Sequence, residues 1–277
     1  MTRDVIVVIG AGGIGQAIAR RQGFGKTILL ADWDEETLAK AAANLGSASY
    51  AVVTQQVDVT SRDAVRALAE RAEALGPVMQ VINTAGLSPN MAPVDRLLAV
   101  DLYGAAVVFE EFGKVVAPGG AGLIISSMAG HMMRPLPEAD ERQLAHAPAD
   151  DLLALPCLQA EAIPNTLVAY MVAKRANILR VQAEAMRWGE RGARVNAISP
   201  GIIVTPLAAH ELNSEIGDIY RAMVEASPAK RMAPPDEIAV AASYLLGPDA
   251  GFITGSDLLI DGGVIAAMRA GKLPTPG

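Results

Sequence analysis

The chain has 277 residues, 51% of them hydrophobic, and a net charge of −7, so a substantial core is expected and a basic nucleic-acid-binding face is not. Aromatic content of 4% argues against a surface that stacks bases, and no apolar run approaches the ~18 residues of a membrane span. The single cysteine, Cys157, excludes an internal disulfide and has no neighbouring base to activate it.

The opening MTRDVIVVIG passes from a short polar lead into a strand pattern, which predicts no secretory leader and a cytoplasmic protein. Strands are predicted at Val5–Ile9, Thr27–Ala31, Val52–Thr54, Val78–Ile82, Gly122–Ser126, Arg194–Ala197 and Asp257–Ile260. Several are apolar throughout, as strands covered on both faces are. Between them, SRDAVRALAERAEALGP places Val65, Leu68, Ala69, Ala72 and Leu75 on one helical stripe, with Ser61 to cap it and Gly76-Pro77 to end it. PPDEIAVAASYLLGPD repeats that design. The alternation predicts an α/β fold: a doubly wound parallel sheet with helices on both faces, in one domain over 1–277. Residues 131–165, rich in proline and acids, break the rhythm and read as an insertion with one or two short helices before the long helix that follows.

Gly10, Gly12 and Gly15 form G-x-G-x-x-G between the first strand and the first helix, with Gly13 and Ile14 inside the turn. Glycines permit a tight turn and close approach of a pyrophosphate to the helix N-terminus, where N–H groups are unpaired. Asp32 follows the second strand about 20 residues on, the distance for a carboxylate that grips the adenosine ribose. It accepts from a free 2′-hydroxyl and repels a 2′-phosphate, and no arginine stands at Ala11 or Trp33 to bind that phosphate. The cofactor expected is NAD rather than NADP, held by Gly10, Gly12, Gly13, Ile14, Gly15, Asp32 and Trp33.

Further on, Tyr170 and Lys174 lie four apart in AYMVAKRANILRVQAEAMRWG and share one helical face. Ser127 ends the strand GLIISS, at the strand end that faces the ligand crevice of a doubly wound sheet. With the glycine loop, DVT at 58–60, NTAG at 83–86, SSMAG at 126–130, YMVAK, RVNAISPGIIVTP at 194–206 and IDGG at 260–263, the chain resembles the short-chain dehydrogenases/reductases from Val5 to about Gly263. The resemblance implies a Rossmann-type domain and hydride transfer between a nicotinamide and a C–OH or C=O carbon. It implies Tyr170 as general acid/base, Lys174 as the ammonium that lowers the tyrosine and holds the nicotinamide ribose, and Ser127 rather than Ser126 as the group that orients the substrate oxygen. It implies cofactor contacts at Asp58 and Val59 (adenine), Asn83, Ala85 and Gly86, and Ile203 and Thr205 (carboxamide), on a loop shaped by Pro200 and Gly201.

Two departures stand out. The family spaces its glycines G-x-x-x-G-x-G; counting back from Gly13 and Gly15, the first falls at Ile9, so the loop is one residue short. Asp101 in VDLYG replaces the asparagine that helps hold a water linking the lysine to solvent, and ionised it would offset the lysine's field at Tyr170. The stretch between Ser127 and Tyr170 is several times longer than the family needs. It is expected to leave the active-site rim and form a lid over a bulky apolar substrate, through Met132, Met133, Leu152, Leu153, Leu155 and Leu158; the other reading packs it on the domain surface or a neighbouring subunit. Residues 205–231 read as a substrate loop. The insertion, RWGERG and the ending DGG…AAMR are similar to the bacterial 3α-hydroxysteroid dehydrogenase/carbonyl reductase branch, which implies a steroid-like or other large hydrophobic substrate and a homodimer or homotetramer. His131, His146 and His210 lack metal-ligand spacing, so no metal is expected, and His131 reads as a solvated loop histidine. The rival readings are a non-catalytic NAD(H) sensor on the same fold, an NADP-linked ketone or 3-oxoacyl reductase, and an epimerase or dehydratase; the complete Ser127, Tyr170 and Lys174 set argues against a sensor.

Overall fold

The computed structural model describes residues 3–213 and 217–274, apart from the side chains at 207, 210 and 211, so the side chain of His210 lies outside the described residues. In chain order the elements are β1 Val5–Ile9, α1 Gly13–Gln22, β2 Thr27–Asp32, α2 Glu35–Ser47, β3 Ala51–Gln56, α3 Arg62–Leu75, β4 Val78–Asn83, α4 Val94–Leu98, α5 Ala105–Val115, β5 Val116–Ile125, α6 Glu138–His146, α7 Ala149–Leu152, α8 Thr166–Glu190, β6 Arg194–Pro200, α9 Pro206–Leu212, α10 Gly217–Ala226, α11 Pro235–Leu246, β7 Asp257–Ile260 and α12 Val264–Arg269. The strands form one parallel sheet in the order β3-β2-β1-β4-β5-β6-β7. The order reverses between β1 and β4, which opens a crevice at their carboxyl ends. This is the doubly wound, Rossmann-type sheet that the strand–helix alternation predicts.

The apolar runs explain the layering. β1 is buried along its whole length because helices cover both faces. One face packs on α3, α5 and α8 through Leu68, Phe112 and Val181; the other packs on α1, α2 and α11 through Ile18, Leu45 and Ala242. Ser61 Oγ accepts from the Ala64 N–H and starts α3, and Asn165 does the same for α8 through the Val168 N–H. β5 starts at Val116, earlier than the predicted Gly122: its pairing with β4 jumps from Val78↔Val116 to Gln80↔Ala121. Pro118, which has no N–H to give a ladder, sits inside that irregularity. Between α4 and α5 the helix runs through a single π turn, Ala99–Gly104, a distortion that commonly marks a functional position.

The insertion carries α6, α7 and a 3₁₀ turn at Pro156–Leu158. It leaves from the pocket rim at Met132, but its apolar side chains turn elsewhere. Leu144, Leu152 and Leu158 are buried in the same core as α3, α5 and α8. Charges clip it there: Arg175 to Glu141 at 2.7 Å, Arg62 to Asp150 at 3.0 Å, and the Ala149 N–H to Glu110 at 2.8 Å. The expectation of a lid is corrected. Of the six apolar residues assigned to it, only Met132 lines the pocket, and the insertion braces the α5/α8 face.

Candidate active site

The glycine turn closes in its short form. Gly10 has φ +98, and a Cβ there would overlap the Thr84 hydroxyl; a Cβ on Gly15 would overlap the Gly10 carbonyl oxygen. Only glycine fits these two positions. The Thr84 hydroxyl donates to the Gly10 carbonyl at 2.9 Å and so braces the turn. Sequence reasoning missed Thr84, although it lies inside the NTAG stretch. The missing residue is absorbed by the tighter turn, and α1 still begins at Gly13.

Helix α1 starts without a side-chain cap and has no acid in its first turn. Its unpaired N–H groups and positive dipole end are left for an anion. Asp32 ends β2 beside this turn. Its Oδ2 accepts the Ala11 N–H at 2.7 Å and its Oδ1 accepts the Asp34 N–H at 3.0 Å, so the carboxylate shapes the loop and each oxygen keeps capacity to accept a further bond. Trp33 beside it is 65% exposed. Asp58 takes the Thr60 N–H and hydroxyl on Oδ1 and Arg96 on Oδ2 at 3.1 Å; burial opposes its charge, but these bonds hold its carboxyl below the usual carboxylate range. Val59 is buried next to it. Asn83 Oδ1 accepts from the Ala85 N–H at 3.1 Å, and Gly86 leaves room for Lys174 Nζ, 3.2 Å from where a Cβ would be. The uncapped helix start, the glycines without room for a side chain and the acid after β2 together fit a dinucleotide.

The chemical groups meet at one cavity of about 530 Å³. Ser127, Tyr170 and Lys174 line it together, with Ile14, Thr84 and Gly86 beside the glycine turn, Pro200 at the end of β6 and Gly201, Ile203 and Thr205 on the loop that follows. Ser127 caps the 3₁₀ turn Met128–His131: its Oγ accepts the Ala129 N–H at 3.1 Å, which leaves its own proton to donate. Ser126 is buried with its hydroxyl on the Lys174 carbonyl at 2.8 Å, so of the two serines Ser127 is the one with a proton available to a ligand. On α8, Lys174 Nζ sits 5.3 Å from the centre of the Tyr170 ring.

Asp101, in the π turn, stands behind the lysine. Its Oδ2 lies 3.2 Å from Lys174 Nζ and its Oδ1 accepts the Leu87 N–H at 2.7 Å; both side chains are buried. Burial pushes the Asp101 carboxyl up, against the pull of the ammonium. Burial also works to lower Lys174, but the Asp101 carboxylate and Tyr170 outweigh it and hold the ammonium above its ordinary value. The proton therefore stays on the lysine, and Asp101 is the group whose charged form burial disfavours.

Much of the remaining wall is apolar, formed by Met128, Met132, Ile202, Met223 and Met268 with Leu273 beyond, and Ser88 and Tyr220 also line it. Met223 lies on α10, within the segment read as a substrate loop. Met268 and Leu273, from α12 and the segment after it, were missed; the only signal was the apolar run that follows Gly263. His131 differs from its expectation. It is not a solvated loop side chain: Nε2 lies 2.7 Å from Asp257 Oδ2, and the ring is 20% exposed. Cys157 is half-buried, and burial pushes its thiol up. Among the described residues no group of three His, Cys, Asp or Glu side chains is placed to hold a metal, and no helix is long and apolar enough to cross a membrane.

Residues 4–138 match the family model described as short chain dehydrogenase, and residues 147–265 match that described as Enoyl-(Acyl carrier protein) reductase. The chain is 40% identical to short-chain dehydrogenase/reductase bsc3 of Alternaria brassicicola, over 96% of this chain and 97% of that one. It is 31% identical to galactitol 2-dehydrogenase (L-tagatose-forming) of Cereibacter sphaeroides, over 92% of each. It is 30% identical to 3-alpha-hydroxysteroid dehydrogenase/carbonyl reductase of Comamonas testosteroni, over 67% of this chain and 72% of that one.

Proposed function

This chain belongs to the short-chain dehydrogenase/reductase family and is an oxidoreductase of alcohol and carbonyl groups; on that footing we propose that it moves a hydride between NAD and a bulky, apolar secondary alcohol or ketone. The family uses NAD(H) or NADP(H), and the narrower reading rests on Asp32. Its carboxylate lies at the end of β2 and, among the described residues, no arginine or lysine is bonded to it, an arrangement that accepts a 2′-hydroxyl and repels a 2′-phosphate. The substrate reading rests on one observation: the methionine- and isoleucine-walled cavity of about 530 Å³ into which Ser127 and Tyr170 open. Apolar walls of this kind gain from burying a large hydrophobic surface and leave few polar groups to hold a small hydroxylated one.

Bound in the crevice, the nicotinamide supplies or takes the hydride. The protein's own residues handle the oxygen and its proton. Ser127 donates to the substrate oxygen and fixes it. Tyr170 takes the hydroxyl proton in oxidation and returns it in reduction. A free tyrosine, with a pKa near ~10, is a poor base at neutral pH. The buried ammonium of Lys174 favours the phenolate and lowers that value. The Asp101 carboxylate keeps the ammonium charged and weakens its field at the phenol. Gly13 at the start of α1, with the cavity-lining Ile14, Gly86, Ile203 and Thr205, would hold the dinucleotide.

Calorimetric titration with NAD⁺ and NADP⁺ tests the cofactor. Tight NAD⁺ binding with weak NADP⁺ binding is expected, and the reverse order sinks the reading of Asp32. A screen of 3-hydroxysteroids against galactitol, followed through the absorbance of reduced nicotinamide, tests the substrate. Higher kcat/KM on galactitol would remove the case for an apolar substrate.

A further inference from the structure

The cavity accounts for Ser127, Tyr170 and Lys174, but not for a hydrogen-bonded histidine–aspartate pair beside it. His131 ends the 3₁₀ turn that Ser127 begins. Its ring nitrogen Nε2 meets Asp257 Oδ2 at 2.7 Å, across 126 positions of sequence, and the Asp257 side chain is 7% exposed. The second carboxylate oxygen, Oδ1, accepts from the hydroxyl of Ser199 at 2.8 Å, and Ser199 has no exposed surface. A carboxylate only accepts, so both partners donate and both oxygens are used. Asp257 opens β7, the last strand of the sheet, and Ser199 immediately precedes Pro200 and Gly201 on β6.

One carboxylate thus ties together two chain segments that enter the cavity from different strands. The first carries Ser127, and Met128 and Ala129 just after it. The second carries Pro200 to Ile203, which also line it. Neither His131 nor Asp257 lines the cavity. Short, charge-assisted bonds in a buried setting are stiff, and stiffness here fixes the distance between the serine and that second segment. We propose that His131 and Asp257 are positioning residues that hold Ser127 at the reacting oxygen. This rests on the reading of Ser127 as the group that fixes that oxygen.

The geometry makes a specific demand. If His131 acts through Ser127, its loss should matter only while Ser127 is present. His131→Phe removes the donor and keeps the ring. His131→Gln keeps an N–H that can reach the carboxylate. A misplacement of about an ångström costs up to ~100-fold, so His131→Phe should lower kcat by roughly 10- to 100-fold with KM for the cofactor little changed. His131→Gln should restore kcat to within about threefold of the parent. Placed in a Ser127→Ala background, His131→Phe should cost almost nothing more, because the two changes remove one function.

All four proteins would be assayed in steady state alongside thermal unfolding. Equal losses from His131→Phe in both backgrounds, or a lowered unfolding midpoint with kcat preserved, would overturn the proposal and leave the pair as a brace of the fold. A Ser127→Ala enzyme as active as the parent would instead reject the role of Ser127 itself. If His131→Phe does not fold, Asp257→Asn takes its place in the same cycle, since an amide supplies only one accepting oxygen for two donors.

Discussion

Helix α8 carries two buried cations, and the protein satisfies them in opposite ways. Lys174 faces the cavity and is met by a single carboxylate, Asp101, at 3.2 Å. Arg180, less than two turns on, faces the insertion. It has no exposed surface, gives Nη1 to the carbonyls of Leu144 and Ala147 at 3.2 and 2.8 Å, and has the carboxylates of Glu110 and Glu184 no nearer than 3.7 Å. A guanidinium stays charged, so neutral carbonyls suffice to hold it, and they belong to the segment it must fix. On the proposed mechanism the lysine's field sets the proton affinity of a neighbouring phenol, and the Asp101 carboxylate keeps the ammonium charged while offsetting part of that field. On that mechanism the same helix is a chemical element on one side and a clamp on the other, and the insertion belongs to the clamp.

The largest effect should come from the chemical side. Lys174→Met and Tyr170→Phe should each lower kcat by about 10² to 10⁴, the usual worth of general acid–base catalysis. Thermal unfolding should show both proteins folded, since burial already favours a neutral Asp101 once the lysine is gone. Loss of folding in Lys174→Met would make that lysine structural as well and blur the contrast with Arg180.

Arg180→Met should do the reverse. It leaves Glu184 buried beside its remaining partner, the half-exposed Arg187, and frees the Leu144 and Ala147 carbonyls, a loss of about 3–5 kcal/mol by denaturant titration. The folded fraction should keep the parent kcat. Leu152→Ala, inside the insertion, should follow at about 2–5 kcal/mol, again with KM unchanged. Met223→Ala on α10 should raise KM for a large apolar substrate severalfold with little change in stability, because that side chain lines the cavity and is only partly buried. A raised KM in Leu152→Ala would return the insertion to the role of lid.

Most of the fold was legible because it is written in local pattern. β1 and β7 carry the predicted bounds, and Ser61 caps α3, since apolar runs, caps and glycine stops act within a few residues. The motifs also single out Ser127, Tyr170 and Lys174, which the fold brings to one cavity. The destination of the insertion was not legible, because the groups that clip it, Arg62, Glu110, Arg175 and Arg180, are spread over α3, α5 and α8. Leu152 and Leu158 are apolar enough for either a lid or a core, and only tertiary contacts separate the two. The same holds for His131, whose partner Asp257 lies in the last strand and carries no local sign of the pairing.

The smallest expected effect bears on the subtlest half of the comparison. If Asp101 is ionised, its charge cancels part of the Lys174 field at Tyr170 and raises the phenol's proton affinity. Asp101→Asn removes that charge and retains a side-chain oxygen for the Leu87 N–H. The apparent pKa on the acid limb of kcat/KM for alcohol oxidation should then fall, by about one unit, equivalent to ~1.4 kcal/mol. The sign follows from the role of Tyr170 as a base: oxidation gains rate as pH rises through its pKa, so a lower pKa moves that limb to lower pH. The variant should also lose rate sooner at high pH, because the carboxylate that raises Lys174 is gone and the ammonium gives up its proton earlier. A profile that overlays the parent at both ends would mean Asp101 is already protonated beside the lysine. The pair would then be a neutral acid hydrogen-bonded to an ammonium, and Lys174 would act on Tyr170 with its field undiminished.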